Sequence, residues 1–107
     1  MKPLDDIGYV YIVADKDNNA LYIGSTNNPD RRIREHLYEW GEKKYDIDRI
    51  LVAYTGTYQL ALACEAWLIR ANRPRWNKLT PAKLMKDKDV YDYLKLLTFE
   101  VRKGVVA

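Results

Sequence analysis

The stretch GYVYIVA (Gly8–Ala14), followed by DKDNN (Asp15–Asn19) and LYIG (Leu21–Gly24), decides the fold. Both flanks are rich in aromatic and β-branched residues, whose stiff side chains suit a pleated strand. The acidic and amide residues between them favour a turn. Two such strands, joined by a loop of about five residues, make an antiparallel β-hairpin.

Working outward, Asn28, Pro29 and Asp30 open a helix: Asn28 caps it, Pro29 fits the first turn, and Asp30 complements the positive end of the dipole. Ile33, Leu37 and Trp40 then recur at helical spacing as a buried stripe, and Gly41 ends the element. A third strand is predicted over Arg49–Tyr54. Thr57 caps a second helix reaching about Ala71, which Pro74 prevents from continuing. The order β-β-α-β-α describes an α+β fold (α/β in the broad sense), a small, mostly antiparallel three-stranded sheet flanked by helices. Beyond it, Thr80 and Pro81 read as another helix start. Val90, Leu94, Leu97 and Val101 continue as an amphipathic C-terminal helix, expected to pack on the same domain or to offer a contact to a second copy or a substrate.

The 107 residues suffice for one hydrophobic core, and 48% hydrophobic against 31% charged residues is a globular balance. No apolar run reaches membrane-spanning length, and the charged opening Met1–Asp6 is not expected to be a secretory signal. A single cysteine, Cys64, excludes an internal disulfide and suits a reducing, intracellular (cytoplasmic) compartment. One cysteine and one histidine are too few for a zinc site, so a metal would be held by oxygen ligands. The net charge of +3 says less than its placement, with Arg31, Arg32 and Arg34 clustered near His36.

Glu65 carries the strongest chemical signal. It is the only charged residue between Thr57 and Arg70, within the apolar run LALACEAWLI (Leu60–Ile69). An ionised carboxylate in such a helix needs an ion pair, hydrogen bonds or a cation. An internal salt bridge, for example to Arg32, and a metal-binding or catalytic role both remain open on the residues alone. Arg32 and His36, four apart, project from one helix face as a phosphate clamp and proton acceptor, or as a solvated face. Tyr11 and Tyr22, two of nine tyrosines, sit one on each arm of the hairpin, where on the residues alone core packing explains them. Asn77 follows a Pro-containing turn.

Taken together, these residues resemble the GIY-YIG nuclease superfamily over about Gly8–Asn77. Tyr22, Ile23 and Gly24 stand as the YIG element. Arg32 lies ten residues beyond the YIG tyrosine, His36 four further, Glu65 in CEAWLI, and Asn77 twelve beyond Glu65 in RPRWN. In the GIY element, Tyr9-Val10-Tyr11, the glycine is replaced by Tyr9, with Gly8 next door.

The resemblance implies a nuclease domain over residues 1–79 and a helical extension over 80–107. It implies an endonuclease hydrolysing DNA phosphodiester bonds, with Tyr11, Tyr22, Arg32, His36, Glu65 and Asn77 as catalytic residues. Glu65 would hold one Mg²⁺, for which Mn²⁺ would substitute. Tyr11 is expected as general base assisted by His36 and Tyr22 as its orienting partner, with an exchange of roles between the two tyrosines left open, and Asn77 as a brace for Glu65 and the loop. Ser25, Arg31, Arg32 and Arg34 are the expected DNA contacts, with a homodimer or targeting protein as a further partner. The alternatives are a catalytically silent DNA- or protein-binding module on the same scaffold, and an enzyme acting on RNA.

Overall fold

The computed structural model describes residues 7–78 and 80–106; the opening Met1–Asp6 and the domain boundary at Leu79 lie outside the described residues. In chain order the elements are β1 (Gly8–Ala14), β2 (Ala20–Thr26), α1 (Pro29–Trp40), a 3-10 segment (Gly41–Asp46), β3 (Arg49–Gly56), α2 (Tyr58–Asn72), α3 (Asp87–Leu94) and β4 (Glu100–Lys103). The strands form one sheet in the order β2-β1-β3-β4, every neighbouring pair antiparallel.

The hairpin forms as its residues predict, with Asp15–Asn19 as the loop. The Asp15 carboxylate accepts hydrogen bonds from the backbone N–H groups of Asp17 and Asn19, both at 2.9 Å, fixing the turn. Register then decides what faces what. Tyr11 pairs with Gly24, and Val13 with Tyr22. Because alternate residues share a face, Tyr11 and Tyr22 become diagonal neighbours on the same side of the sheet.

Capping sets the helix starts. Asn28 Oδ1 accepts from Arg31 N at 3.1 Å at the head of α1, and Thr57 Oγ1 from Leu60 N at 3.1 Å at the head of α2. Arg73, in the left-handed region at φ 46°, ends α2 just before Pro74.

One face of the sheet, with Val10, Ile23 and Ala53, packs on Ala63, Cys64, Leu68 and Ile69 of α2 and on Val90 of α3. The other, with Tyr11, Val13, Ile50 and Val52, packs on Ile33, Leu37 and Trp40 of α1. Burying each branched aliphatic side chain contributes about 1.5–3 kcal/mol, which is why the mostly apolar α2 takes the more enclosed position.

The sheet has four strands rather than the three expected, and the tail is not one long helix. α3 stops at Leu94, where Leu96 N and Leu97 N bond back to Tyr93 O and Leu94 O and tighten the chain into a turn. Glu100–Lys103 then pairs with Arg49–Val52, using the open edge of β3. Val101 followed the helical spacing of Val90 and Leu94 by coincidence; the alternation from Phe99 to Lys103 is a strand pattern, and strand hydrogen bonds to β3 outweigh a solvated helix there. Arg102 on β4 reaches Asp30 at the start of α1 at 2.7 Å, tying the added strand to the helix on that face.

Candidate active site

β2 is the outer strand of the sheet, and the helices that cover opposite faces both approach its edge. There a cleft of about 740 Å³ opens, lined by Tyr22, Arg32, His36, Glu39, Trp40, Lys43, Glu65, Trp76, Asn77 and Lys78 among others. Five of the six residues expected to be catalytic line it. The sixth, Tyr11, lies directly behind: it is 1% exposed, and its hydroxyl meets His36 Nε2 at 2.6 Å.

That contact depends on a glycine. A Cβ at Gly24 would stand 2.3 Å from the Tyr11 hydroxyl oxygen and 2.4 Å from Cζ, so the phenol crosses β2 only because its cross-strand partner has no side chain. The altered GIY element has a similar explanation. A Cβ at Gly8 would stand 2.2 Å from the carbonyl oxygen of Thr57, so Gly8 supplies the close approach to the head of α2. Tyr9 instead stacks obliquely on Tyr54, ring centroids 5.3 Å apart.

His36 is 3% exposed and lies parallel to Trp40 at 4.5 Å. Burial, aided by the Arg32 charge, pushes its pKa down to about 4, so it is neutral at pH 7. Assigning the Tyr11 proton as donated to Nε2 puts the imidazole proton on Nδ1, which has no hydrogen-bond partner among the described residues; Glu39 Oε2 is 3.9 Å away. Burial also raises the pKa of Tyr11 well above the ordinary phenol value, the charge of Tyr22 adding to the shift and Arg32 opposing it. Tyr22 is half-buried and raised in the same direction, first by burial and then by the Glu65 charge, again against Arg32. Both phenols are therefore protonated at neutral pH.

Glu65 is half-buried, and burial raises its pKa, with the hydroxyl and backbone N–H of Ser25 opposing the shift. The salt bridge to Arg32 left open by the sequence is not formed. Arg32 Nη1 is instead 3.2 Å from Glu35 and 3.9 Å from Glu39 on its own helix. Asn77 braces its own loop against β2. Its Oδ1 accepts from Ile23 N and its Nδ2 donates to Ile23 O, both at 2.9 Å, while Trp76 N donates to Leu21 O at 2.9 Å. Together they occupy the free backbone groups of β2 and hold the YIG strand in place.

Of the expected DNA contacts, Ser25, Arg31 and Arg32 share a neighbouring cleft of about 470 Å³ with Thr26, Asn27, Glu35 and Tyr58. Arg31 is held by Asn27 Oδ1 at 3.2 Å. Arg34 is exposed on α1 and lines neither cleft. The sequence reading passed over Trp76 and Lys43 and treated Trp40 as core alone. The available signal was a tryptophan placed in the turn beside Asn77, a position that leaves it half-buried. Among the described residues no three His, Cys, Asp or Glu side chains cluster as a metal cage, and no helix is long and apolar enough to cross a membrane.

The antiparallel sheet thus brings Tyr22, Arg32, His36 and Glu65 to one edge cleft, with Tyr11 directly behind it. The chain belongs to the GIY-YIG catalytic domain family, whose model matches residues 7–80. It is similar to UvrABC system protein C of Geobacter metallireducens, 36% identical over 76 residues, covering 64% of this chain and 12% of the relative. It is also similar to the proteins of that name from Carboxydothermus hydrogenoformans, 32% identical over 106 residues (90% and 16% covered), and Acidobacterium capsulatum, 31% over 97 (81% and 14%). The chain thus spans only about a sixth or less of the length of these relatives. No solved structure gives a significant match.

Proposed function

We propose that the chain is a metal-dependent endonuclease that hydrolyses phosphodiester bonds in DNA, acting in DNA repair or recombination. The observation that carries this reading is Glu65: a carboxylate held in an apolar helix, facing the cleft, with Arg32 engaged elsewhere. Family membership and similarity to a component of a UvrABC system agree with it.

A single carboxylate fits Mg²⁺, or Mn²⁺ in its place, because such an ion keeps several waters and takes phosphate oxygens as its remaining ligands. Bound at Glu65, the cation would act as a Lewis acid toward the leaving oxygen and the phosphate. Arg32, drawn from its exposed partners Glu35 and Glu39, binds a non-bridging phosphate oxygen and shares the charge that grows there.

The exposure of the two phenols favours an exchange of the roles expected for them. Tyr22 lines the cleft, whereas Tyr11 is closed against His36. In this scheme Tyr22 receives the proton of the attacking water and passes its own to Tyr11, whose proton moves to His36 Nε2. Neither tyrosine need be a standing phenolate, and neutral His36 has its lone pair free at pH 7. Glu39 lies on the Nδ1 side to partner the imidazolium that forms. Asn77 positions the YIG strand and takes no part in proton transfer.

Incubation of the purified chain with supercoiled plasmid tests the proposal. Nicking with Mg²⁺ that stops on chelation is expected. An intact plasmid under both conditions would overturn the enzyme reading in favour of a silent binding module, and cleavage confined to structured RNA in a parallel reaction would overturn the choice of DNA.

A further inference from the structure

The cleft is larger than one phosphate and a hydrated cation require; at about 740 Å³ it falls among cavities that enclose a nucleotide-sized ligand. Part of its wall is aromatic. Beginning at the Tyr11–His36 bond, His36 lies parallel on Trp40, and Trp40 meets Trp76 at 5.0 Å and 55°. Lys43 Nζ stands 4.9 Å from the centre of the Trp76 ring. Both tryptophans are half-buried against the core and reach the cleft, and Lys43 and Lys78 are exposed beside them.

This combination of indole rings reaching the cleft and exposed ammonium groups, continuous with the proposed phosphate-cutting centre, matches the chemistry of a nucleotide outside a helix. Continuous duplex hides the faces of its bases in its own stack; an unpaired nucleotide offers a face to an indole and a phosphate to a lysine. We propose that Trp40, Trp76 and Lys43 form a stacking subsite for an unpaired nucleobase next to the scissile phosphate, which directs the enzyme to DNA with a single-stranded or unstacked nucleotide at the cut. The proposal rests on the nuclease reading for its meaning, and its test does not need cleavage.

Binding is measured in EDTA on two fluorescent DNAs of the same sequence, one fully paired and one carrying a single-stranded flap. The wild-type chain is expected to favour the flap by about 5- to 150-fold, the span given by one stacked base. Trp76→Ala should bring the ratio close to one with duplex affinity retained, Trp76→Phe should keep most of it, and Lys43→Ala should weaken flap binding. Equal wild-type affinities, or an unchanged ratio in Trp76→Ala, would overturn the subsite. Should Trp76→Ala fail to fold, the wild type still decides: flap DNA must quench tryptophan fluorescence more than the duplex does, and equal quenching overturns the proposal. Preference without cutting in Mg²⁺ would uphold the subsite and remove the nuclease; cutting without preference would do the reverse.

Discussion

Replacing Gly24 by alanine adds one methyl group at the point where the Tyr11 ring crosses β2. The new Cβ would lie 2.3 Å from the phenol oxygen, 2.4 Å from Cζ and 2.9 Å from Cε1, all far inside contact distance. The backbone at Gly24 is not in the left-handed region, so the conflict is steric alone. The ring cannot swing into solvent, being 1% exposed and bonded to His36. Overpacking of this kind costs about 1–3 kcal/mol, and the displaced phenol should also lose its 2.6 Å contact to His36. The cause is isolated by repeating the change in a Tyr11→Leu background, which removes all three clashing atoms. There alanine should be neutral or stabilising by up to about 1 kcal/mol, as for a glycine replaced at an unstrained position. Urea denaturation of the four proteins gives the cycle, with an expected coupling of about 1–4 kcal/mol between the two sites. Additive effects, within about 0.5 kcal/mol, would refute the claim that Gly24 exists to admit Tyr11.

Gly8→Ala should destabilise by about 1–3 kcal/mol or more, because the obstacle is the Thr57 carbonyl at the cap of α2 and backbone cannot turn aside; thermal melting checks it. Tyr11→Phe leaves His36 Nε2 buried without a donor, so a loss of about 1–3 kcal/mol is expected in urea, together with single-turnover cleavage slowed at least about 100-fold; a normal rate would remove Tyr11 from the proton path. His36 makes stability depend on pH. Its pKa falls from 6.5 to about 4 on folding, so between those values the unfolded chain binds a proton that the native one refuses. Stability is therefore full above about pH 6.5 and declines as pH drops toward about 4, by at most about 1.4 kcal/mol per unit. The slope between pH 6.5 and 5 should flatten in His36→Gln, and an unchanged slope would contradict a buried neutral imidazole.

The hairpin was legible in the sequence because strand formers and turn residues are local signals, whereas the register that sets Tyr11 and Tyr22 on one face belongs to the pairing of the strands. Glu65 stood out for the same reason, as one charge in a run of apolar neighbours. What it faces was not local. The choice between an ion pair with Arg32 and an open cleft depended on Glu35 and Glu39, which claim the guanidinium from within α1. The hydrogen bonds of Asn77 to Ile23 cross 54 residues of chain and leave no trace in spacing. The tail misled because Val90, Leu94, Leu97 and Val101 satisfy a helical period, while the free edge of β3, which recruits Val101 into a strand, exists only in the assembled sheet. Trp40 was read from its helical stripe, which accounts for the face it packs on the core and not for its contacts with His36 and Trp76.

The central claim is that Glu65 holds the cation without which the DNA backbone is not cut, and the most direct test is single-turnover cleavage of a labelled oligonucleotide by the wild type and by Glu65→Gln across a Mg²⁺ titration. Gln preserves shape and relieves a buried charge, so the variant should fold at least as well as the wild type. It should bind DNA yet cut at least about 1000-fold more slowly, at every Mg²⁺ concentration. A Glu65→Gln protein that cuts at the wild-type rate with the same dependence on Mg²⁺ would show that the metal is held elsewhere and contradict the account.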